Sequence, residues 1–275
     1  MRNVIVGAAA VLFLFLSATV RAQNMKLGEV LIFHAPDLKP DADARAFEAY
    51  ILGQLAPAWK MDAPGMELHL VRKDRGNHKG RYVLVYTTDT LERRKAYASA
   101  TSEVSPFTAA LLAKVGNVQS GLAPFVNSDG QYIEYHLVGP EKVAAMPEVD
   151  VLGVHYLKVR PDRREAFDRF IAEKLHAAVG NLRPELRLLY YKPVRGADEG
   201  DYLTLFALTR ASRDKYWPNG QDSDDLKAAF KPVQALTGEL KSYLVEGSYA
   251  TGNLAAAVYE SREWADWVQV RAEGR

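Results

Sequence analysis

The chain has 275 residues, 35 basic and 34 acidic side chains, 48% hydrophobic residues and no cysteine. Near-neutral, interspersed charge gives no electrostatic footprint for nucleic acid or anionic lipid. The lack of cysteine excludes disulfides, a thiolate nucleophile and thiolate-ligated metal, so stability must come from a core that a chain of this length is able to build.

In chain order, the first segment is a targeting signal. Arg2 precedes an almost unbroken apolar run from Val4 to Val20, and Val20-Arg21-Ala22 sets compact residues at the −3 and −1 positions of a cleavage site. The run is at or just below the roughly 18–20 residues that a spanning helix needs, so residues 1–22 are expected to be a cleaved signal peptide. No cysteine follows to carry a lipid anchor. The mature chain, with 33 basic and 34 acidic residues and a net charge of −1, is expected outside the cytoplasm and free of the membrane. Export without disulfides suits a periplasm better than a eukaryotic secretory route, with the extracellular space the other destination.

The rest repeats itself. Arg75-Gly76, Gly80 and Tyr82 match Arg195-Gly196, Gly200 and Tyr202 at an offset of 120, which also pairs Phe47 with Phe167, Ile51 with Ile171, Leu55 with Leu175, Arg93 with Arg213 and Lys95 with Lys215. The period is too long for a solenoid and suits a duplicated small domain. Each copy predicts a strand (28–35; 150–159), a helix with one apolar stripe (Phe47, Tyr50, Ile51, Leu55; Phe167, Phe170, Ile171, Leu175) and a hairpin (66–73 with 81–87; 185–192 with 201–208). A second helical stretch follows, broken at Ser105-Pro106 and at Pro218-Asn219-Gly220, and a last strand closes each copy at 131–138 and 242–249. Repeats over 26–138 and 149–250 thus flank a linker, 139–148, and precede a tail, 251–275, expected to form a short helix carrying Trp264 and Trp267.

This order, the split second helix and the Arg-Gly…Gly…Tyr hairpins resemble the dimeric α+β barrel superfamily, which includes antibiotic-biosynthesis-type monooxygenases, haem-degrading monooxygenases and EthD-like and NIPSNAP-like proteins. The resemblance implies an α+β fold in which two tandem ferredoxin-like βαββαβ units form a dimeric α+β barrel within one chain. The physics agrees, because each sheet leaves one apolar face that must find cover and the tethered neighbour is at hand. A monomer with pseudo-twofold symmetry is expected.

Two histidines recur at matched places late in the first strand of each copy. His34 shares a face with Val30 and Ile32, and His155 with Val151 and Gly153. If that face is the barrel interior, the pair offers proton transfer or ligand binding; the structural reading is two histidines bonded to backbone at strand ends. Tyr132, Tyr156, Tyr190, Tyr202, Phe206 and Tyr243 are candidate walls for a flat apolar ligand, though strand propensity alone also favours them and alternation divides them between faces. Glu67 with His69 and Glu134 with His136 are i, i+2 pairs compatible with metal or acid–base chemistry, or with a solvent-facing edge strand; no metal site is expected. Asp37, Asp41 and Asp43, like Asp222, Asp224 and Asp225, lack the glycine and distal glutamate of a calcium loop and suit helix capping. Arg75 and Arg195 suit an anion or a plain hairpin surface. His176 is expected at a helix surface.

No cofactor is required. Haem-degrading relatives place their histidine on the helix after the third strand, and neither 89–117 nor 211–238 contains one, so haem would need His34 or His155 in another geometry. The expected function is binding of a small, largely apolar or aromatic ligand, with or without cofactor-independent chemistry. The alternatives are a monooxygenase-type or haem-binding enzyme, and a non-catalytic assembly module acting through the tail.

Overall fold

In β1 (Val30–Leu38), Leu31 and Phe33 point one way and Val30, Ile32 and His34 the other, and every one of them is buried or half-buried. A strand apolar on both faces needs cover on both. The computed structural model of the chain provides it with a closed, antiparallel, eight-stranded barrel that has one core inside and two more outside, under helices. It describes residues 25–62, 65–76, 79–97, 109–110, 113, 121–138, 149–179, 185–196, 201–248 and 264–271. The expected signal segment, the linker, His78, the hairpin tip at 197–200 and most of the stretch after Ser105-Pro106 lie outside these residues.

Around the barrel the order is β1, β3 (Tyr82–Thr88), β2 (Met66–Gly76), β8 (Trp264–Gln269), β5 (Val151–Lys158), β7 (Asp201–Leu208), β6 (Arg187–Arg195) and β4 (Val126–Leu137), which returns to β1. The barrel therefore has two halves, β4-β1-β3-β2 and β8-β5-β7-β6, joined at a β2–β8 seam and a β6–β4 seam. The inner face is filled by Leu31, Phe33, Tyr135, Leu152, Tyr191 and Trp267, among others. The Tyr191 hydroxyl is satisfied there by donating to the Gly28 carbonyl at 2.9 Å. The expectation that a ligand would occupy the space between the sheets is corrected on this point, because side chains occupy it.

Each half carries a helix with the same irregularity. In the first, α1 (Ala44–Tyr50) passes through a π turn, Ile51–Leu55, into α2 (Ala56–Asp62); in the second, α4 (Arg164–Phe170) passes through Ile171–Leu175 into α5 (His176–Val179). Phe47, Ile51 and Leu55 are buried, and their steps of four residues exceed the 3.6 of an α-helix; the wider turn absorbs the excess. Asp43 caps α1 as expected, its carboxylate accepting from Arg45 N at 2.9 Å and Ala46 N at 3.2 Å. The remaining helices are α3 (Leu91–Tyr97), α6 (Arg210–Tyr216), α7 (Asp224–Gln234) and α8 (Thr237–Tyr243). The cap of α7 is Ser223, with Asp224 and Asp225 in the first turn, where they favour the helix dipole.

Two expectations fail at the C-terminal end. Residues 242–248, the described part of the expected closing strand, do not form it: α8 runs to Tyr243, and Leu244 bridges to Val159. The closing strand is β8, built from the tail expected to be helical. Ala265, Trp267 and Gln269 turn into the barrel while Asp266 and Val268 turn outward, a period of two that suits a strand and not a helix. Trp267 packs into its own barrel, so it is not free to serve a partner chain.

Candidate functional site

The barrel fixes where the candidate residues point. His34 and His155 both face outward, each beneath the helices of its own half, and do not meet as a pair inside. His34 is buried, stacked on Tyr132 at 3.8 Å between ring centroids and 15° between planes. His155 is half-buried as a residue and 6.0 Å from Phe206, edge to face; burial pushes its imidazole pKa down to about 4.

The six aromatic candidates do not line one cavity. Tyr156 is the one that faces the barrel interior. Tyr190, Tyr202 and Phe206 belong to the outer core of the second half, where burial pushes up the Tyr190 and Tyr202 phenols; Tyr202 donates to Asp168 at 2.6 Å. Tyr132 lies on the outer face of the first half, 47% exposed. Tyr243 ends α8 against Phe167 and Phe170, at 5.7 and 5.1 Å.

One cross-strand row separates the halves chemically. In the first half the outer row reads Leu70, Leu84, His34 and Tyr132. The corresponding row of the second half reads Tyr190, Thr204 and His155, with His155 in register with the backbone of Trp264. Two buried leucines in one half thus stand opposite a buried tyrosine and a buried threonine in the other. Thr204 Oγ1 is buried and has no hydrogen-bond partner among the described residues. Gly153 precedes His155 on the same face, where the first half has Ile32; a Cβ there would come 3.2 Å from Cβ of Phe206, its cross-strand partner, so the glycine lets Phe206 approach the strand. Phe206 then contacts Trp217 at 5.3 Å and Phe230 at 5.7 Å. Thr204 escaped the sequence reading, yet its signal was present: 84 and 204 stand at the 120-residue offset and differ as Leu and Thr.

An unpartnered buried hydroxyl costs about 1–3 kcal/mol. Thr204→Val keeps the branched shape and removes the polar atom. It is expected to raise stability by about 1 kcal/mol in a urea titration while weakening any ligand held there; a destabilised variant would mean the hydroxyl is satisfied.

The other polar pairs sit elsewhere. His69 and Glu67 face the interior, 3.1 Å apart, with Gln269 Nε2 at 3.4 Å from His69 Nδ1. Burial alone would raise the Glu67 pKa, but the hydrogen bond and charge of His69, with Lys26 and Lys60, bring it below its usual value. Glu134 and His136 face outward on β4, which is no edge strand, being paired with β1 and β6. Among the described residues no group of three or more His, Cys, Asp or Glu side chains is placed to hold a metal ion.

For haem, the donor chemistry of His155 fits and the space does not. A neutral imidazole is a suitable axial ligand, but Phe206, Trp217 and Phe230 fill the layer over the strand.

No family model matches the chain, and no curated protein matches it. Among solved structures it is similar to a monooxygenase-like protein of Fusobacterium nucleatum, at 11% identity over 90% of this chain and 94% of that one, with a TM-score of 0.47. It is also similar to a monooxygenase-like protein of Lactobacillus acidophilus, at 8% over 87% and 93%, TM-score 0.44. A third is a chlorite dismutase variant of Candidatus Nitrospira defluvii, at 13% over 88% and 90%, TM-score 0.43. These likenesses are too distant to assign an activity.

Proposed function

We propose that the chain binds a small, largely apolar or aromatic ligand on the outer face of its second half, with the ligand's polar atom against His155 and Thr204. The observation that carries this is the Thr204 hydroxyl, buried without a partner where the first half has Leu84. A ligand atom that pairs with it recovers a desolvation cost the fold otherwise bears, and Tyr190, Phe206 and Trp217 supply apolar wall.

The pKa of His155 favours binding over proton transfer. A general base works best with a pKa near the working pH; an imidazole held to about 4 is neutral throughout the physiological range and accepts or donates a hydrogen bond without changing charge. A proton relay between His34 and His155 is disfavoured by their placement under different helices.

The monooxygenase-type or haem-binding alternative rests on the same imidazole, since the neutral form is the one that ligates metal. Bound haem would supply redox chemistry; Phe206, Trp217 and Phe230, which must give way in part even to a small ligand, would have to move further to admit it. Absorbance titration with haemin decides between the readings. A saturable Soret shift lost in His155→Phe supports the enzyme; no shift, with saturable binding of 1-naphthol, supports the apolar-ligand site.

We further propose that the halves are tandem copies of one βαββαβ unit, the second completed by β8, and that the mature chain acts as a monomer outside the cytoplasm. The matched π turns and cross-strand rows support the duplication.

A further inference from the structure

We propose that the β6–β4 seam is a binding site for a small oxyanion, independent of the His155 site. The two seams occupy matched positions, and their charges differ. At the β2–β8 seam, Arg75 lies 3.6 Å from both Asp266 and Asp214; Arg213 pairs with Asp74 at 2.7 Å and Asp214 at 3.0 Å, and Lys79 lies 3.8 Å from Asp74. Three cations face three carboxylates.

At the β6–β4 seam the same cross-strand pair recurs, with Glu134 opposite Arg195 as Asp266 is opposite Arg75. The other two carboxylates are gone. At the 120-residue offset Asp74 corresponds to Val194 and Asp214 to Arg94. Glu134 alone therefore meets Arg94 at 2.7 Å, His136 at 3.0 Å and Arg195 at 3.8 Å. The strong donor to Glu134 is Arg94, whose Nε is buried and has no hydrogen-bond partner among the described residues. Arg195 is 71% exposed and, among the described residues, its ion-pair contact is the long one to Glu134. Among the described residues two guanidinium groups share one carboxylate, an excess of positive charge at a seam whose counterpart is balanced.

An oxyanion fits that excess. Guanidinium forks match phosphate and carboxylate oxygens, and Val194, 52% exposed beside Arg195, leaves the approach open where Asp74 closes the other seam. The Gly196 backbone takes a positive φ of 83°, and a Cβ there would run into the Tyr132 carbonyl, so the hairpin carrying Arg195 is held close to β4.

The test compares thermal unfolding of the full chain in inorganic phosphate or acetate with chloride at equal ionic strength. The wild-type midpoint should rise with the logarithm of anion concentration, by about 3–6 °C at a tenfold excess over Kd. Val194→Asp restores the missing carboxylate; it should melt cooperatively in chloride and lose the gain. Arg195→Gln, at an exposed position, should lose it too and serves if Val194→Asp does not fold. A wild-type midpoint that does not exceed chloride with either probe overturns the proposal, as does an undiminished gain in a cooperatively melting variant.

Discussion

A chain ended at Gly252 is expected to lose its cooperative thermal transition and to associate in sedimentation. The cut removes β8, which is hydrogen-bonded on both sides, to β2 from Val71 to Gly76 and to β5 from Val151 to His155. It takes away the buried side chains of Ala265, Trp267, Val268 and Gln269. Deleting one large aromatic from a core costs about 3–5 kcal/mol, a large part of the roughly 5–15 kcal/mol that a domain possesses. The Asp266–Arg75 and Arg271–Asp150 contacts, at 3.6 and 3.3 Å, go with it. Two strands become open edges beside an uncovered inner core, the usual prelude to association. A truncated chain that melts sharply as a monomer would show that β8 does not close the barrel and would return the tail to an assembly role.

Replacing Glu134 by Gln is expected to cost about 3–5 kcal/mol, the usual penalty for stranding one partner of a buried ion pair. Arg94 is itself mostly buried and would lose its charge partner at 2.7 Å. Burial alone would raise the Glu134 pKa, but hydrogen bonds from His136 and Arg94 and the charges of Arg94 and Arg195 outweigh it and lower the value to about 2. The folded pKa lies below the unfolded value, so this stabilisation is fully present above about pH 4.5 and is lost as pH falls through about 2. A drop from 4.5 to about 2 corresponds to about 3 kcal/mol. Asp74 and Glu67 are lowered too, so the wild-type difference from Glu134→Gln, followed by urea unfolding between pH 5 and 2, isolates the Glu134 share. A gap that stays constant over that range would contradict the assignment.

Much of the barrel was legible. The hairpin strands fell close to their expected ranges, with Asp201–Leu208 in full agreement, because alternation and flanking glycines mark them. What alternation does not say is which face turns inward. In β1 both faces are apolar, Leu31 and Phe33 against Val30 and Ile32, so His34 and His155 carried no label of side. The tail carries no strand signal of its own: Trp-Ala-Asp-Trp-Val-Gln repeats apolar-apolar-polar, and its alternation between inside and outside is set by pairing with β2 and β5. Tyr243 was misplaced for a related reason: Leu240 and Leu244 fit either period, and packing against Phe167 and Phe170 settled the helix. The site was half visible. His155 stands out by its match with His34, whereas Thr204 differs from Leu84 at the 120-residue offset but gains meaning only once the register sets it beside His155.

The central claim is that the ligand site lies on the outer face of the second half and not inside the barrel or at His34. Calorimetric titration of the folded chain with 1-naphthol tests it most directly, comparing wild type with His155→Phe and His34→Phe. The account predicts one saturable site, weakened at least about tenfold in His155→Phe, a loss of about 1.4 kcal/mol or more, and unchanged in His34→Phe. Equal binding in wild type and His155→Phe, or a loss confined to His34→Phe, would contradict it.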